Sequence, residues 1–129
     1  MNELKSCTKP NQKIKKILIA DDSPSVILYY RMILEKKGIQ TLFAKNGEEA
    51  IDLYNQHLDI DLAFLDIKMP KKNGIEVMKA IRKNDKNVPV IAQTAFAVND
   101  EIKKLEDQGF TECINKPIEE EKFFELLGL

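Results

Sequence analysis

Short apolar runs alternate five times with segments of helical periodicity along this chain. The apolar runs, each expected to form a strand, lie at residues 17–20, 39–44, 62–65, 88–92 and 113–115. Strands buried on both faces read as continuous apolar runs, because neither face is left to solvent. Strands separated by helices also favour parallel pairing, with helices covering both faces of the sheet. The pattern therefore predicts an α/β fold built from five βα units.

Capping residues and glycines mark where the helices begin and end. Ser23 is a predicted N-cap with Pro24 at the first helical position, and this helix is expected to end at Gly38. The other helices are predicted to open at Asn46-Gly47, to follow Gly74, to close at Gly109 and to cover 119–127. Residues 1–14 are polar and show no period, which predicts a flexible leader or linker before a single domain at 15–129.

The charge balance and the cysteines narrow the functional classes. Twenty basic residues against 21 acidic ones leave a net charge of −1, which excludes a dominant nucleic-acid or polybasic membrane surface. There are two cysteines, Cys7 in the polar leader and Cys113 in a strand-like run, and two such cysteines make neither a disulfide framework nor a metal-ligand cluster. The N-terminus has no signal-peptide core, and no apolar run approaches the length that spans a bilayer. We expect a cytoplasmic domain that itself contacts neither nucleic acid nor membrane.

Polar residues follow four of the five predicted strands. Asp21 and Asp22 follow the first, Asp66 the third, Thr94 ends the fourth and Lys116 the fifth. Ligands of open parallel sheets bind beyond the carboxyl ends of the strands, so these side chains are expected at one edge. Three converging carboxylates repel one another unless a cation binds there, and carboxylate oxygens suit Mg²⁺. The second strand supplies no such residue, which favours a peripheral place in the sheet.

Four sequence segments carry a specific resemblance. The segments ILIADDSP, LDIKMPKKNG and AQTA, and the pair Lys116-Pro117, resemble receiver domains of two-component response regulators over about residues 15–129. The resemblance implies a flavodoxin-like, doubly wound sheet with strand order 2-1-3-4-5. It also implies an isolated domain that is not an enzyme beyond Mg²⁺-dependent self-phosphorylation and autodephosphorylation.

The resemblance assigns roles to the acidic residues. Asp66 corresponds to the phosphoacceptor, which takes a phosphoryl group from a phosphohistidine of a partner protein. Asp22, Asp66 and the backbone carbonyl of Lys68 correspond to direct Mg²⁺ ligands, whereas Asp21 would act partly through water. The implied cofactor is therefore Mg²⁺, and the implied partner is a histidine kinase or a histidine phosphotransfer domain.

The resemblance also assigns the switch. Lys116 corresponds to the lysine that pairs with a phosphoryl oxygen, and Thr94 to the hydroxyl that binds another. Receivers usually carry an aromatic residue three positions before that lysine, where this chain has Cys113. We expect signalling to depend on loop closure or onward phosphotransfer rather than on aromatic switching, unless Phe96 or Phe110 takes that space. The responding surface, and a weak homodimer interface, are implied at residues 97–129.

Several alternatives remain open from the sequence. The segment from Ala92 to Ile118 resembles receivers of hybrid sensor histidine kinases, which favours that origin over a stand-alone regulator. A pseudo-receiver that binds partners without phosphorylation is a third context. An aspartyl-phosphate phosphohydrolase is disfavoured, because Lys68 stands two residues after Asp66 where such enzymes place a second aspartate. His57 is expected to be a surface residue, and Cys113 a small buried apolar one.

Overall fold

The computed structural model describes residues 14–95, 98–116 and 118–128. Within these ranges, strands and helices alternate five times, as the sequence predicts. The strands are β1 (Lys16–Ala20), β2 (Gln40–Ala44), β3 (Leu62–Asp66), β4 (Val90–Thr94) and β5 (Glu112–Asn115). The helices are α1 (Pro24–Glu35), α2 (Gly47–Gln56), α3 (Gly74–Asn84), α4 (Asn99–Gln108) and α5 (Glu120–Leu127).

All five strands are parallel and form one sheet in the order β2-β1-β3-β4-β5. This confirms the doubly wound, flavodoxin-like order implied by the resemblance, and it places β2 at an edge. Every residue of β3 is buried, as expected for a strand covered on both faces. The order reverses between β1 and β3, and in such sheets this switch point opens a crevice at the carboxyl ends.

Two apolar clusters fill the space between the sheet and its helices. One face carries Leu18, Leu65 and Cys113 against α2, α3 and α4, where Met78 of α3 is part of the same cluster. The other carries Ile19, Phe64, Ile91 and Ile114 against α1 and α5. Successive residues of each strand alternate between the two faces, so each helical layer buries alternate strand residues. The sheet is therefore covered by helices on both faces, and its carboxyl edge lies between the two helical layers.

Two local predictions differ from the structure. The fourth strand begins at Val90 rather than Val88, because Val88 N–H donates to Asp85 Oδ1 (3.0 Å) and Pro89 has no N–H to donate. Ser23 occupies the N-cap position of α1, but its side chain makes no capping hydrogen bond. The Ser23 hydroxyl lies 3.1 Å from the Ser25 hydroxyl instead.

Several other predictions concern particular residues. The predicted leader up to residue 13, together with Phe96 and Pro117, lies outside the described residues. Ile14, the last residue of the predicted leader, is buried in the cluster on the α1 and α5 side. No helix in the described part of the chain is long and apolar enough to cross a membrane.

Candidate functional site

Three aspartates meet at the carboxyl edge of the sheet. Asp21 and Asp22 follow β1, and Asp66 ends the neighbouring strand β3. One carboxylate oxygen from each lies within 4.8 Å of the others. Asp21 is fully buried, Asp66 is 6% exposed and Asp22 faces solvent. The parallel pairing of β1 with β3 produces this cluster, because it places both strand ends at the same level.

Lys116 joins two of these carboxylates from the end of β5. Its Nζ lies 2.9 Å from Asp21 Oδ2 and 3.2 Å from Asp66 Oδ2. Its backbone N–H donates to the Thr94 carbonyl (3.0 Å), which ties the loop after β5 to the end of β4. Asp21 Oδ2 forms an ion pair with this ammonium but receives no hydrogen bond of good geometry in the described structure. The Lys116 side chain is 21% exposed, so this cation is only partly shielded from water.

The electrostatics of the cluster are those of a crowded acidic site. Burial, and then the charge of Asp21, raise the pKa of Asp66, while Lys116 offsets part of that effect. Burial alone would lower the pKa of Lys116, but the close contact with the charge of Asp21, and then the charge and hydrogen bond of Asp66, raise it. Lys116 therefore stays protonated beside the two buried carboxylates.

Backbone turns orient the two buried carboxylates. Ser23 N–H donates to Asp21 Oδ1 (2.9 Å), and Lys68 N–H donates to Asp66 Oδ1 (3.2 Å). The loop after β3 then passes very close to Asp66: a Cβ on Gly74 would lie 2.4 Å from the Asp66 carbonyl oxygen. Glycine is therefore required at the start of α3. The Lys68 carbonyl as a metal ligand stays a prediction.

Thr94 ends β4 on the side of the site that faces α4. Its hydroxyl makes a long, 3.5 Å contact with the Ala95 carbonyl. Together with Lys68 and Leu105 it lines a cavity of about 250 Å³ between α3 and α4. A hydroxyl held this weakly is free to turn towards a new acceptor. The structure thus places Thr94 at the same edge as the aspartates, and no hydrogen bond joins them among the described residues.

The donor set fits a divalent cation that prefers oxygen. Two buried carboxylates and an exposed one converge, and Asp21 Oδ2 retains unfilled acceptor capacity. Mg²⁺ binds through one or two carboxylates and keeps several waters, which the solvent-facing Asp22 permits. These residues could therefore hold Mg²⁺.

Sequence reasoning missed two buried polar residues beneath this edge, Gln93 and Tyr30. Gln93 lies on β4 beside Asp66 and is fully buried, and its Oε1 accepts a hydrogen bond from the Tyr30 hydroxyl. Two sequence features could have pointed to them: a glutamine inside the mostly apolar strand VIAQT, and a tyrosine among the buried positions of α1. His57 and Cys113 contribute nothing here: His57 caps α2 and Cys113 packs in the opposite cluster.

Comparisons with known proteins agree on one family. A family model described as the response regulator receiver domain matches residues 17–127. The polar-differentiation response regulator DivK of Brucella anthropi is 34% identical over 115 residues, which cover 88% of this chain and 93% of that protein. The Borrelia burgdorferi structure of a CheX-CheY-BeF3-Mg+2 complex matches with a TM-score of 0.81 and 32% identity, over 88% of this chain and 86% of that one. A Clostridium thermocellum response regulator receiver domain matches with a TM-score of 0.82 and 25% identity, over 89% and 92% of the two chains.

Proposed function

This chain belongs to the response regulator receiver domain family, and on that premise we propose that it accepts a phosphoryl group on Asp66. The observation that carries the proposal is the junction of Asp66, Asp21 and Lys116 at the carboxyl edge of the sheet. A nucleophilic carboxylate there has a cation at 3.2 Å and a second carboxylate nearby. This is the arrangement that in-line phosphoryl transfer needs, because such transfer depends on positioning and on neutralised charge.

The donor is proposed to be a phosphohistidine of a histidine kinase or a histidine phosphotransfer domain. An Asp66 carboxylate oxygen attacks phosphorus, and the O–P bond forms as the N–P bond breaks. The electron pair of the N–P bond stays on the leaving nitrogen, so a donor ring protonated on its other nitrogen departs as neutral histidine. Asp21, Asp22 and Asp66 would hold Mg²⁺, with the Lys68 carbonyl as a further ligand. When bound, Mg²⁺ supplies most of the charge neutralisation for the incoming phosphoryl group.

Lys116 and Thr94 are proposed to bind the phosphoryl oxygens of phosphorylated Asp66. Lys116 moves its ammonium from Asp66 Oδ2 to a phosphoryl oxygen as a point charge. Thr94 turns its weakly held hydroxyl to another phosphoryl oxygen. Both contacts exist only after phosphorylation, so they bias the equilibrium between two loop arrangements. We propose that residues 97–129 form the responding surface and a weak homodimer interface.

Cys113 bears on how a change at Asp66 can reach the responding surface. It is 8% exposed and packs in the same cluster as Leu105 and Phe110. A thiol cannot fill the volume of a ring, so we propose loop closure or onward phosphotransfer in place of aromatic switching. An activated structure with Phe110 or Phe96 moved into the space beside Cys113 would contradict this.

The proposals differ in the kind of protein that carries this receiver domain. The segment around β4 and β5 favoured a receiver from a hybrid sensor histidine kinase. The DivK relatives favour the stand-alone alternative, since the matched region makes up 93% of their length. The complete set of three acids and Lys116 argues against a pseudo-receiver. A cytoplasmic location suits each of these contexts.

Phosphorylation can be tested directly. The protein is incubated with Mg²⁺ and acetyl phosphate, and its intact mass is measured with and without EDTA. We expect a gain of one phosphoryl group that requires Mg²⁺ and is lost in Asp66→Asn. The matched control is Asp52→Asn, an exposed aspartate on α2, which should keep the adduct. An adduct that survives in Asp66→Asn, or no adduct in the unaltered protein, contradicts the proposal.

A further inference from the structure

One buried side chain beneath the acidic cluster has an unused hydrogen-bond donor. Gln93 is fully buried on β4, and its Nε2 has no hydrogen-bond partner among the described residues. A buried amide donor without a partner is costly, and most such groups in native proteins are satisfied. An apolar residue at this position would avoid that cost. We therefore expect Gln93 Nε2 to have an acceptor that is not among the described residues.

The orientation of this amide is set by Tyr30. The Tyr30 hydroxyl donates to Gln93 Oε1, and both side chains are buried between the sheet and α1. Burial, and then the charges of Asp21, Tyr29 and Asp66, raise the pKa of Tyr30, so its hydroxyl keeps the proton that it donates. With Oε1 held in this way, the amide group cannot rotate freely, and Nε2 is directed elsewhere.

Gln93 and the phosphoacceptor lie side by side on one face of the sheet. Gln93 is the register partner of Asp66 on the adjacent parallel strand. Ile91 and Phe64, two residues earlier on each strand, both belong to the cluster against α1 and α5, so Gln93 and Asp66 share that face. Tyr30 and Lys116 together line a cavity of about 430 Å³ beside them, walled also by Ser23 and Ser25.

Each carboxylate oxygen of Asp66 already accepts one hydrogen bond in the described structure. Oδ1 accepts from Lys68 N–H, and Oδ2 accepts from Lys116 Nζ. A phosphoryl group on Asp66 adds three acceptor oxygens and draws the Lys116 ammonium towards them. Phosphorylation of Asp66 thus adds acceptor oxygens next to Gln93.

We propose that Gln93 is a further binding residue for the phosphorylated state: its Nε2 donates, directly or through one bound water, to the acceptors created at phospho-Asp66. Tyr30 is the positioning residue that holds the amide for this contact. The inference rests on the proposed function, since it needs a phosphoryl group at Asp66. The contact is absent before phosphorylation, so it stabilises one state over the other and adds to the switch provided by Lys116 and Thr94.

The test compares binding of Mg²⁺ alone with binding of Mg²⁺ and fluoroberyllate, a mimic of the phosphoryl group. Gln93→Met removes the Nε2 donor, together with the Oε1 acceptor of the Tyr30 hydroxyl, while keeping a long buried side chain. We expect it to weaken fluoroberyllate binding about tenfold, as for one lost hydrogen bond to a charged acceptor, and to leave the affinity for Mg²⁺ alone unchanged. The matched control is Ile91→Met on the same strand and face, which should bind fluoroberyllate like the unaltered protein.

Each outcome of this binding comparison either supports or overturns the proposed role of Gln93. Gln93→Met with unaltered fluoroberyllate affinity overturns it, and so does an equal loss of Mg²⁺ affinity, which would indicate a purely structural role. Gln93→Leu repeats the measurement if the methionine variant does not fold. An unaltered protein that binds no fluoroberyllate and forms no phosphoryl adduct overturns the proposed function as well, whereas failure of the Gln93 comparison alone leaves that function standing.

Discussion

Replacing Lys116 with methionine removes the only cation in contact with the two buried carboxylates of the described site. The Lys116 ammonium lies 2.9 Å from Asp21 and 3.2 Å from Asp66. Breaking a buried ion pair costs about 3–5 kcal/mol, because it leaves an uncompensated charge, whereas an exposed pair contributes about 0–1 kcal/mol. The Lys116 side chain is 21% exposed, so solvent screens part of the loss. We expect Lys116→Met to lower the free energy of unfolding by about 2 kcal/mol at pH 7 without Mg²⁺.

Urea unfolding in EDTA, followed by circular dichroism, measures this loss. Adding Mg²⁺ should restore stability to Lys116→Met more than to the unaltered protein, because the cation binds the native carboxylates that have lost their ammonium. The control Lys103→Met changes an exposed lysine on α4 and should stay within about 0.5 kcal/mol. A loss below about 0.5 kcal/mol for Lys116→Met, or no extra gain from Mg²⁺, would refute the reasoning.

The same variant has a defined pH dependence. The pKa of Lys116 is raised by folding, so its stabilisation is present below its unfolded pKa and is lost as pH rises through the folded one. The deficit of Lys116→Met should therefore shrink at strongly alkaline pH. It should also shrink in acid, because Asp66, whose pKa is raised, takes a proton and no longer needs a counter-charge. A deficit that is constant from acid to alkaline pH would argue against an electrostatic origin.

Three further predictions concern single positions. Asp66→Asn should melt at a higher temperature than the unaltered protein at pH 7 in EDTA, because burial and then the charge of Asp21 disfavour the ionised carboxylate. This advantage should fade as pH falls through the raised pKa of Asp66, where the unaltered protein becomes protonated; equal melting temperatures at pH 7 would count against it. Gly47→Ala should lower the urea midpoint by the equivalent of about 2–3 kcal/mol, since its Cβ would lie 2.0 Å from the Lys72 carbonyl oxygen, and a smaller loss would mean that this loop yields easily. Burial raises the pKa of the Cys113 thiol to about 11, so peptide mapping should find it alkylated by iodoacetamide at pH 7.5 only after denaturation.

The apolar pattern was sufficient to predict the class of fold. Continuous runs such as residues 17–20 and 62–65 predict strands buried on both faces, and the structure confirms both strands. Where local hydrogen bonds compete with the strand, the pattern was less accurate. The apolar run predicts that Val88 belongs to the strand, but the Val88 N–H donates to Asp85 Oδ1 instead of to a neighbouring strand. The boundary therefore depends on a side chain three residues away, which hydrophobic periodicity does not register.

The residues at the site were identified largely because parallel strands all end at one edge. That rule brings Asp21, Asp66 and Lys116 together, and their distances follow from the strand order β2-β1-β3-β4-β5. Alternation of strands and helices alone does not determine that order, because several arrangements of five parallel strands satisfy it. The order was implied by the resemblance and confirmed by the structure.

Only the tertiary structure brings Gln93 and Tyr30 into contact. In sequence they are 63 residues apart, Tyr30 on α1 and Gln93 on β4. Gln93 stands inside the segment AQTA, but nothing in that segment pairs it with Tyr30. Their meeting depends on how α1 packs across the sheet, so no local pattern could reveal it. By itself, the sequence determined which residues end the strands and hence which chemical groups share the edge. The packing of helices on the sheet decided which donors and acceptors at this edge have hydrogen-bond partners, because those partners lie far apart along the chain.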